Sequence, residues 1–181
     1  MNRILVTGGG GFVGSALVTR LCEQGCRVLA LGRNYYPQVE KVGAQSIVGD
    51  ISDLDFLRRS CRDVDTVFHV AAKAGIWGAW QDYETANVIG TANVLTACRE
   101  NKVARLIYTS TPSVVFDCSD IRGGDETMPY ADRFLCQYAR SKAIAEQLVL
   151  AANSDDLKTC AIRPHLIWGP GDPHLLPRLI D

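Results

Sequence analysis

The chain has 181 residues, close to the ordinary single-domain length of about 150 residues. It carries 19 Lys and Arg against 20 Asp and Glu, a formal net charge of -1, with 47% hydrophobic and 22% charged residues. This composition excludes a disordered chain, and the charge balance gives no support to a nucleic-acid or membrane-surface role. Arg3-Ile4-Leu5-Val6-Thr7 is a short apolar run that ends at glycines, predicting a buried strand. Val13, Leu17 and Leu21 recur at four-residue spacing and predict a helix over 12–24. Arg27 to Leu31, closed by Gly32, and Gln45 to Val48 read as the second and third strands. A helix is expected from about Asp53 to Ser60, with Asp53 as cap or first-turn carboxylate. Thr66 to Val70 reads as the fourth strand, and Val88, Ala92 and Leu95 mark a long helix running to about Arg99. Ala104 to Tyr108 is the fifth strand, followed by a polar segment from Asp117 to Phe134. A helix near Cys136 to Ala152 rests on Ile144 and Leu148, and Lys158 to Ile162 is the sixth strand.

Strand and helix alternate throughout, and the strands are continuously apolar. Both features predict an α/β fold, a parallel sheet covered by helices on both faces. No apolar run reaches the roughly 18 residues of a membrane span, and the amino terminus lacks the long apolar stretch of a secretion signal. The seven cysteines are scattered, with no C-x-x-C, and only Cys22 and Cys26 lie close together. Reduced thiols in a cytoplasmic protein are the favoured reading, ahead of a metal or redox site; no metal ligand set is assigned.

The first strand runs into Gly8-Gly9-Gly10-Gly11-Phe12-Val13-Gly14. A strand, a glycine turn and a helix form a unit suited to a pyrophosphate. Glycine lets the backbone approach the phosphates, and the helix start offers free N–H groups and a positive dipole end. The run fits two registers, Gly9-x-Gly11-x-x-Gly14 and Gly8-x-x-Gly11-x-x-Gly14. After the second strand no carboxylate stands where an NAD ribose would need one; Arg33 and Asn34 follow Gly32 instead. The planar Arg33 donor fork suits a 2′-phosphate and points to NADP over NAD, although a solvated arginine would read the same way. Asp50, before Ile51, could meet the adenine amino group or simply shape a turn.

Tyr138 and Lys142 stand four apart on the helix before the sixth strand, hence on one helical face. A phenol of pKa about 10 is a poor acid–base group at neutral pH, and a neighbouring ammonium would lower it. Such a pair also arises by chance on a surface. Thr109-Ser110-Thr111 closes the fifth strand, at the end of the sheet where ligands bind.

In order and spacing these motifs resemble the extended short-chain dehydrogenase/reductases of the NAD-dependent epimerase/dehydratase superfamily, which implies an NAD(P)-binding Rossmann-type domain over 1–181, a doubly wound parallel sheet with helices on both faces. The resemblance covers essentially the whole chain and rests on Thr7 to Gly14, His69-Val70-Ala71-Ala72, Asn87, Thr109-Ser110-Thr111, and Tyr138 with Lys142. It is closest to the 3β-hydroxysteroid dehydrogenase-like branch. Ile107 to Thr111 and Arg163 to Asp172 are similar to sterol-4-carboxylate dehydrogenases and to bacterial 2-alkyl-3-oxoalkanoate reductases. Ala71 to Gly78 is particularly similar to the latter.

The resemblance implies Tyr138 as general acid or base, Lys142 as the ribose-binding lysine that lowers the Tyr138 pKa, and Thr111, with Ser110 as backup, orienting the substrate oxygen. It implies Gly8, Gly11, Phe12 and Val13 along the pyrophosphate and Ala71, Ala72 and Lys73 beside the adenine-side ribose and phosphates. Pro164, His165 and Leu166 would touch the nicotinamide, and Asn87 would be architectural. Val114 to Cys118 departs from the family's usual Val-Tyr-Gly turn, which weakens a nucleotide-sugar reading.

Ile76, Trp77 and Trp80 after the fourth strand suggest an apolar substrate lip, or else packing residues. The favoured function is therefore an NADP-dependent oxidoreductase acting on a hydrophobic, sterol-like or long-chain alcohol or ketone. The alternatives are a nucleotide-sugar epimerase or dehydratase, and a non-catalytic dinucleotide sensor. A homodimer through the helices at 82–99 and 136–152 is a further implication of the resemblance. The family normally continues for about another domain length. Pro177 to Asp181 reads as the first turns of a further helix, and the C-terminal substrate domain is expected to be absent. Cofactor binding with poor turnover is the expectation for these residues alone.

Overall fold

A computed structural model describes residues 2–172; the helix expected at 177–181 lies outside the described residues. Strands β1 (Arg3–Thr7), β2 (Arg27–Gly32), β3 (Gln45–Val48), β4 (Thr66–His69), β5 (Arg105–Thr109) and β6 (Lys158–Ile162) form one sheet in the order β3-β2-β1-β4-β5-β6. Every pairing is parallel. The carboxyl ends of all strands therefore share one edge, and the order reverses between β1 and β4. That is the doubly wound Rossmann-type arrangement, in which the crevice for a ligand opens at the reversal. The helices are α1 (Phe12–Glu23), α2 (Pro37–Lys41), α3 (Leu54–Ser60), α4 (Trp80–Tyr83), α5 (Gly90–Glu100) and α6 (Gln137–Ala151).

The pleat explains the apolar strands. Ile4 and Val6 pack with Val18 and Leu21 of α1 and Val39 of α2. Leu5, between them in sequence, faces the other way and joins Val67, Leu106, Leu57, Val94 and Val149. Each face buries its own residues, so no polar alternation survives. Coverage is unequal. The register carries the Val6 face across to Phe68, Ile107 and Cys160, and Cys160 is exposed. Asp53 caps α3, accepting from the Phe56 N–H at 2.9 Å.

The long helix begins at Trp80, close to the start expected at 82, and changes winding. A π-helical segment, Glu84–Ile89, joins α4 to α5. Its wider turn rotates the buried face relative to an ideal helix. Tyr83, Asn87, Thr91 and Val94 face inward, whereas the expected Val88 and Ala92 are half-buried. Two of the inward positions are polar, so hydrophobic periodicity could not have found them. Helix α2 is five residues long, too short for periodicity, though Pro37 in its first turn is a start signal. Segment 117–134 contains no helix or strand. Met128, Tyr130 and Phe134 fold it back onto Val114, Val115 and Ala143.

The glycine turn adopts the Gly8-x-x-Gly11-x-x-Gly14 register. Gly8 has φ +70°, and Gly11 is the N-cap of α1. A Cβ on Gly14 would lie 2.0 Å from the Gly8 carbonyl oxygen, so α1 seats directly on the turn. In an unobstructed helix Gly→Ala stabilises by about 1 kcal/mol. Here the added methyl strikes backbone, and we expect Gly14→Ala to lower stability by roughly 1–3 kcal/mol. The measurement is the urea midpoint; a raised midpoint would contradict this packing.

Candidate active site

A cavity of about 810 Å³ opens at the carboxyl ends of β1 to β4. Gly8, Gly11, Phe12 and Val13 line it on the β1 side. Ser15 N–H is bonded to Gly11 O at 2.8 Å; the N–H groups of the first helical turn before it have no intrahelical partner. Free donors over a turn that lacks Cβ atoms suit a pyrophosphate, so the residues present fit a dinucleotide. Arg33, Asp50, Ile51, Ala71, Ala72 and Lys73 also line the cavity. Arg33 is exposed and forms no ion pair among the described residues. Asp50 is both wall and turn residue, accepting from Ser52 N–H at 2.8 Å. Asn34 is exposed and lies off the cavity wall. Tyr36, not anticipated, lines it because its ring covers Gly10, where a Cβ would come within 2.2 Å of the ring. Paired glycines as a seat for a ring leave no sequence pattern.

The floor is held by a directed hydrogen-bond chain. Thr91 Oγ1 donates to Asn87 O at 2.6 Å, so it accepts from His69 Nε2 at 2.9 Å. His69 Nδ1 then accepts from Thr7 Oγ1 at 2.6 Å, and Thr7 Oγ1 accepts from Ala71 N–H at 3.2 Å. This assigns one neutral tautomer to His69. Burial, with a smaller push from the Lys142 charge, drives its pKa down to about 3.

Asn87 is architectural, as the resemblance implied. It accepts from Lys73 N–H at 2.7 Å and donates to Lys73 O at 3.1 Å and Ser141 Oγ at 2.8 Å. Ser141 in turn donates to Tyr138 O at 2.8 Å. The loop after β4 and helix α6 are thus tied through one side chain. The Lys73 ammonium pairs with Asp82 at 3.3 Å.

The hydroxyl and amine groups cluster at the ends of β5 and α6, off the cavity wall. Thr111 bonds Ser113 and lies near enough to Tyr138 to favour the phenolate. Ser110 instead turns inward. Its Oγ is buried without a well-formed hydrogen bond, yet near enough to Glu146 to favour that carboxylate. The Lys142 Nζ donates to Thr109 O at 2.6 Å and lies 4.0 Å from the centroid of the Tyr108 ring. Spacing puts Lys142 on the face of Tyr138, and its contacts turn it toward β5. Burial raises the Tyr138 pKa, Cys136 adds to the rise, and Thr111 opposes it. Burial also lowers Lys142 to about 7, against the pull of Glu146.

Sequence reasoning missed Glu146, the only acidic residue of α6. It is buried and receives Arg163 Nη2 at 2.6 Å and Tyr130 Oη at 3.0 Å. Burial works to raise its pKa, but these donors outweigh it and hold the carboxyl below the usual range. The pair fixes the end of β6 to α6. Beyond it, Pro164 is half-buried and His165 and Leu166 are exposed; none of the three lines the cavity. Ile167 and Asp172 do. Trp80 packs under Arg140, whose guanidinium carbon is 4.3 Å from its ring centroid. Ile76 and Trp77 are 65% and 86% exposed, on a loop whose Gly75 and Trp77 carbonyls face Tyr83 Oη at 2.9 and 2.8 Å. Among the described residues no group of three or more His, Cys, Asp or Glu side chains could hold a metal, and no helix is long and apolar enough to cross a membrane. All seven cysteines are free thiols.

Residues 5–181 match the 3-beta hydroxysteroid dehydrogenase/isomerase family. A 2-alkyl-3-oxoalkanoate reductase of Stenotrophomonas maltophilia is 51% identical over 181 residues, covering 99% of this chain and 55% of the relative. A 3 beta-hydroxysteroid dehydrogenase/Delta 5-->4-isomerase of Mycobacterium tuberculosis is 41% identical over 194 residues, covering 100% of this chain and 51% of the relative. The solved structure of MoeE5 in complex with UDP-glucuronic acid and NAD superposes with a TM-score of 0.86 at 33% identity, covering 99% of this chain and 60% of that one. The chain spans about half the length of the curated relatives it matches.

The buried lysine has a consequence for stability. Below pH about 7 Lys142 is charged in the folded and unfolded chain alike, and the cost of burying it stands in full. Between about 7 and the ordinary lysine value of about 10.4, the folded chain has released the proton and the unfolded chain has not. Stability therefore rises with pH across that window. We expect Lys142→Met to stabilise the ligand-free chain by roughly 1–4 kcal/mol below neutrality, with the difference closing as pH rises. Urea titrations at several pH values check this; a destabilised variant at low pH would refute it.

Proposed function

The chain belongs to the 3-beta hydroxysteroid dehydrogenase/isomerase family, and on that premise we propose that it is the dinucleotide-binding part of an NADP-dependent oxidoreductase interconverting a ketone and a secondary alcohol on a hydrophobic, long-chain or sterol-like substrate. The observation that carries this reading is one sheet edge bearing both a glycine-floored cavity and the Tyr138, Thr111 and Lys142 cluster. Gly8, Gly11, Phe12 and Val13 would hold the pyrophosphate, Ala71 to Lys73 the adenine-side ribose, and Lys142 the nicotinamide ribose. A dinucleotide held by these residues would supply hydride chemistry for the reacting C–O group. Tyr138 gives its proton to the carbonyl oxygen in reduction and takes it back in oxidation, and Thr111 orients that oxygen. An unpaired Arg33 on the cavity wall supports NADP.

The exposed Ile76 and Trp77 support an apolar substrate over a nucleotide sugar. The relative named 2-alkyl-3-oxoalkanoate reductase points to a 2-alkyl-3-ketoacid as the first substrate to try. A cytoplasmic setting fits the free thiols. Exposed Ile89 and Leu148 on the two long helices fit a homodimer.

The test is NADPH consumption with 2-alkyl-3-ketoacids by the full-length protein that carries this chain. Tyr138→Phe is expected to slow turnover by roughly 10²–10⁴-fold; equal rates would sink the mechanism. In a fluorescence titration without substrate, Arg33→Ala should weaken NADPH binding by about tenfold and leave NADH nearly unchanged. Equal losses for the two cofactors would remove Arg33 from the specificity argument.

A further inference from the structure

The chain has five lysines, and among the described residues Lys142 alone is buried. A buried ammonium needs replacements for its lost water. Two come from consecutive residues at the end of β5: the Thr109 carbonyl at 2.6 Å and the Tyr108 ring, its centroid 4.0 Å from Nζ. Successive strand residues point to opposite faces, so one residue presents a ring on the face where the next presents only its backbone.

The ring is itself fixed. Tyr108 is 1% exposed and sits beside the His69 ring with centroids 5.5 Å apart. His69 is the neutral imidazole locked between Thr7 and Thr91. A buried tyrosine is normally held by its hydroxyl. Here the Tyr108 hydroxyl has no well-formed hydrogen bond, only a near approach to Thr91. The part of Tyr108 that is engaged is its face, and what engages it is the ammonium.

We propose that Tyr108 is a positioning residue for Lys142, holding the ammonium at the end of β5 through its ring face and not through its hydroxyl. The other ionisable groups around Lys142 are Glu146 and Tyr138, each one turn away on α6, and His69 behind the Tyr108 ring. Glu146 favours the charged lysine and is itself neutralised by Arg163. His69 is uncharged. That leaves the ring and the Thr109 carbonyl as the direct partners of the ammonium. The contact stands on geometry alone; its bearing on dinucleotide binding rests on the function proposed above.

Five lysines make the contact directly observable. In the full chain labelled with carbon-13 at the lysine ε position, one ε-methylene proton resonance should lie upfield of the other four, displaced by the ring current of Tyr108. Lys142→Arg should remove it, which assigns it. Tyr108→Phe should keep it, whereas Tyr108→Leu should return it to the position of the others. The leucine variant should also lower the midpoint of Lys142 titration by about one pH unit, since a desolvated cation–π contact favours the charged form.

A wild-type spectrum with all five lysines together overturns the proposal whether or not any variant folds. Loss of the shift in Tyr108→Phe overturns the claim for the ring face. NADPH affinity, measured by fluorescence, should be kept in Tyr108→Phe and fall about tenfold in Tyr108→Leu, the size of a desolvated cation–π contact. An unchanged affinity in a folded leucine variant would overturn the positioning role. No NADPH binding by wild type, with the upfield resonance present, would overturn the function proposed for the site while leaving the contact intact.

Discussion

The site depends on how closely β1 and β4 approach where the strand order reverses. Gly8 has no Cβ, and one built there would stand 2.8 Å from Ala71 N. Thr7, fully buried, closes the same seam by accepting from Ala71 N–H and donating to His69. From this seam the chain leaves in two directions, through the glycine turn into α1 and through 71–79 into α4. The cavity is the gap between those departures. Any side chain at Gly8 would push the two strand ends apart, and both cavity walls would move with them. Asn87 extends the constraint to α6 by gripping Lys73 at both backbone groups and Ser141 by its hydroxyl. The π-helical segment around Asn87 carries a polar side chain to the place where three elements meet, a use consistent with π-bulges at functional sites.

Electrostatics divides α6 between a settled and an unsettled charge. Glu146 and Lys142 are one turn apart and both buried. Glu146 has a guanidinium and a phenol donating to it, and stays ionised. Arg163 answers most of its charge, so Glu146 offers Lys142 little. Lys142 has one carbonyl and one ring, and burial lowers its pKa to about 7. Both side chains expose almost no surface, but Lys142 lies deeper and has the weaker set of partners. A group left under-compensated in the ligand-free chain gains most from a polar ligand, and the same deficit lowers stability, the usual exchange at functional sites.

Much of this was legible because it follows from local rules. Apolar strands in alternation with helices, the glycine turn and the Asp53 cap each have a short-range signature. The misses share a different cause. Tyr36, Tyr108 and Glu146 act through partners on other elements: Gly10, Lys142 and Arg163. The direction that Lys142 takes has a related cause. Four-residue spacing places two Cα atoms on one face, but the direction of a long side chain is decided by whatever accepts its charge. Here a carbonyl and a ring from β5 outbid the phenol.

The two sides of the sheet edge differ in completeness. On the dinucleotide side the walls are contributed by α1 and the ends of β1 to β4, and the polar groups below them are paired. In the loops after β4 and β6, apolar side chains stand in solvent: Trp77 at 86% exposure, Leu166 at 64% and Trp168 at 66%. Tyr83 buttresses the loop that carries Trp77, with its hydroxyl at two loop carbonyls, so this exposure is built and not a frayed end. Ordered apolar surface beside a polar, preformed cavity separates two tasks. Under the function proposed above, the cavity would take the dinucleotide, which has a constant shape. The apolar rim is free to differ between proteins that share the cavity, because no hydrogen bond of the β1–β4 seam passes through it.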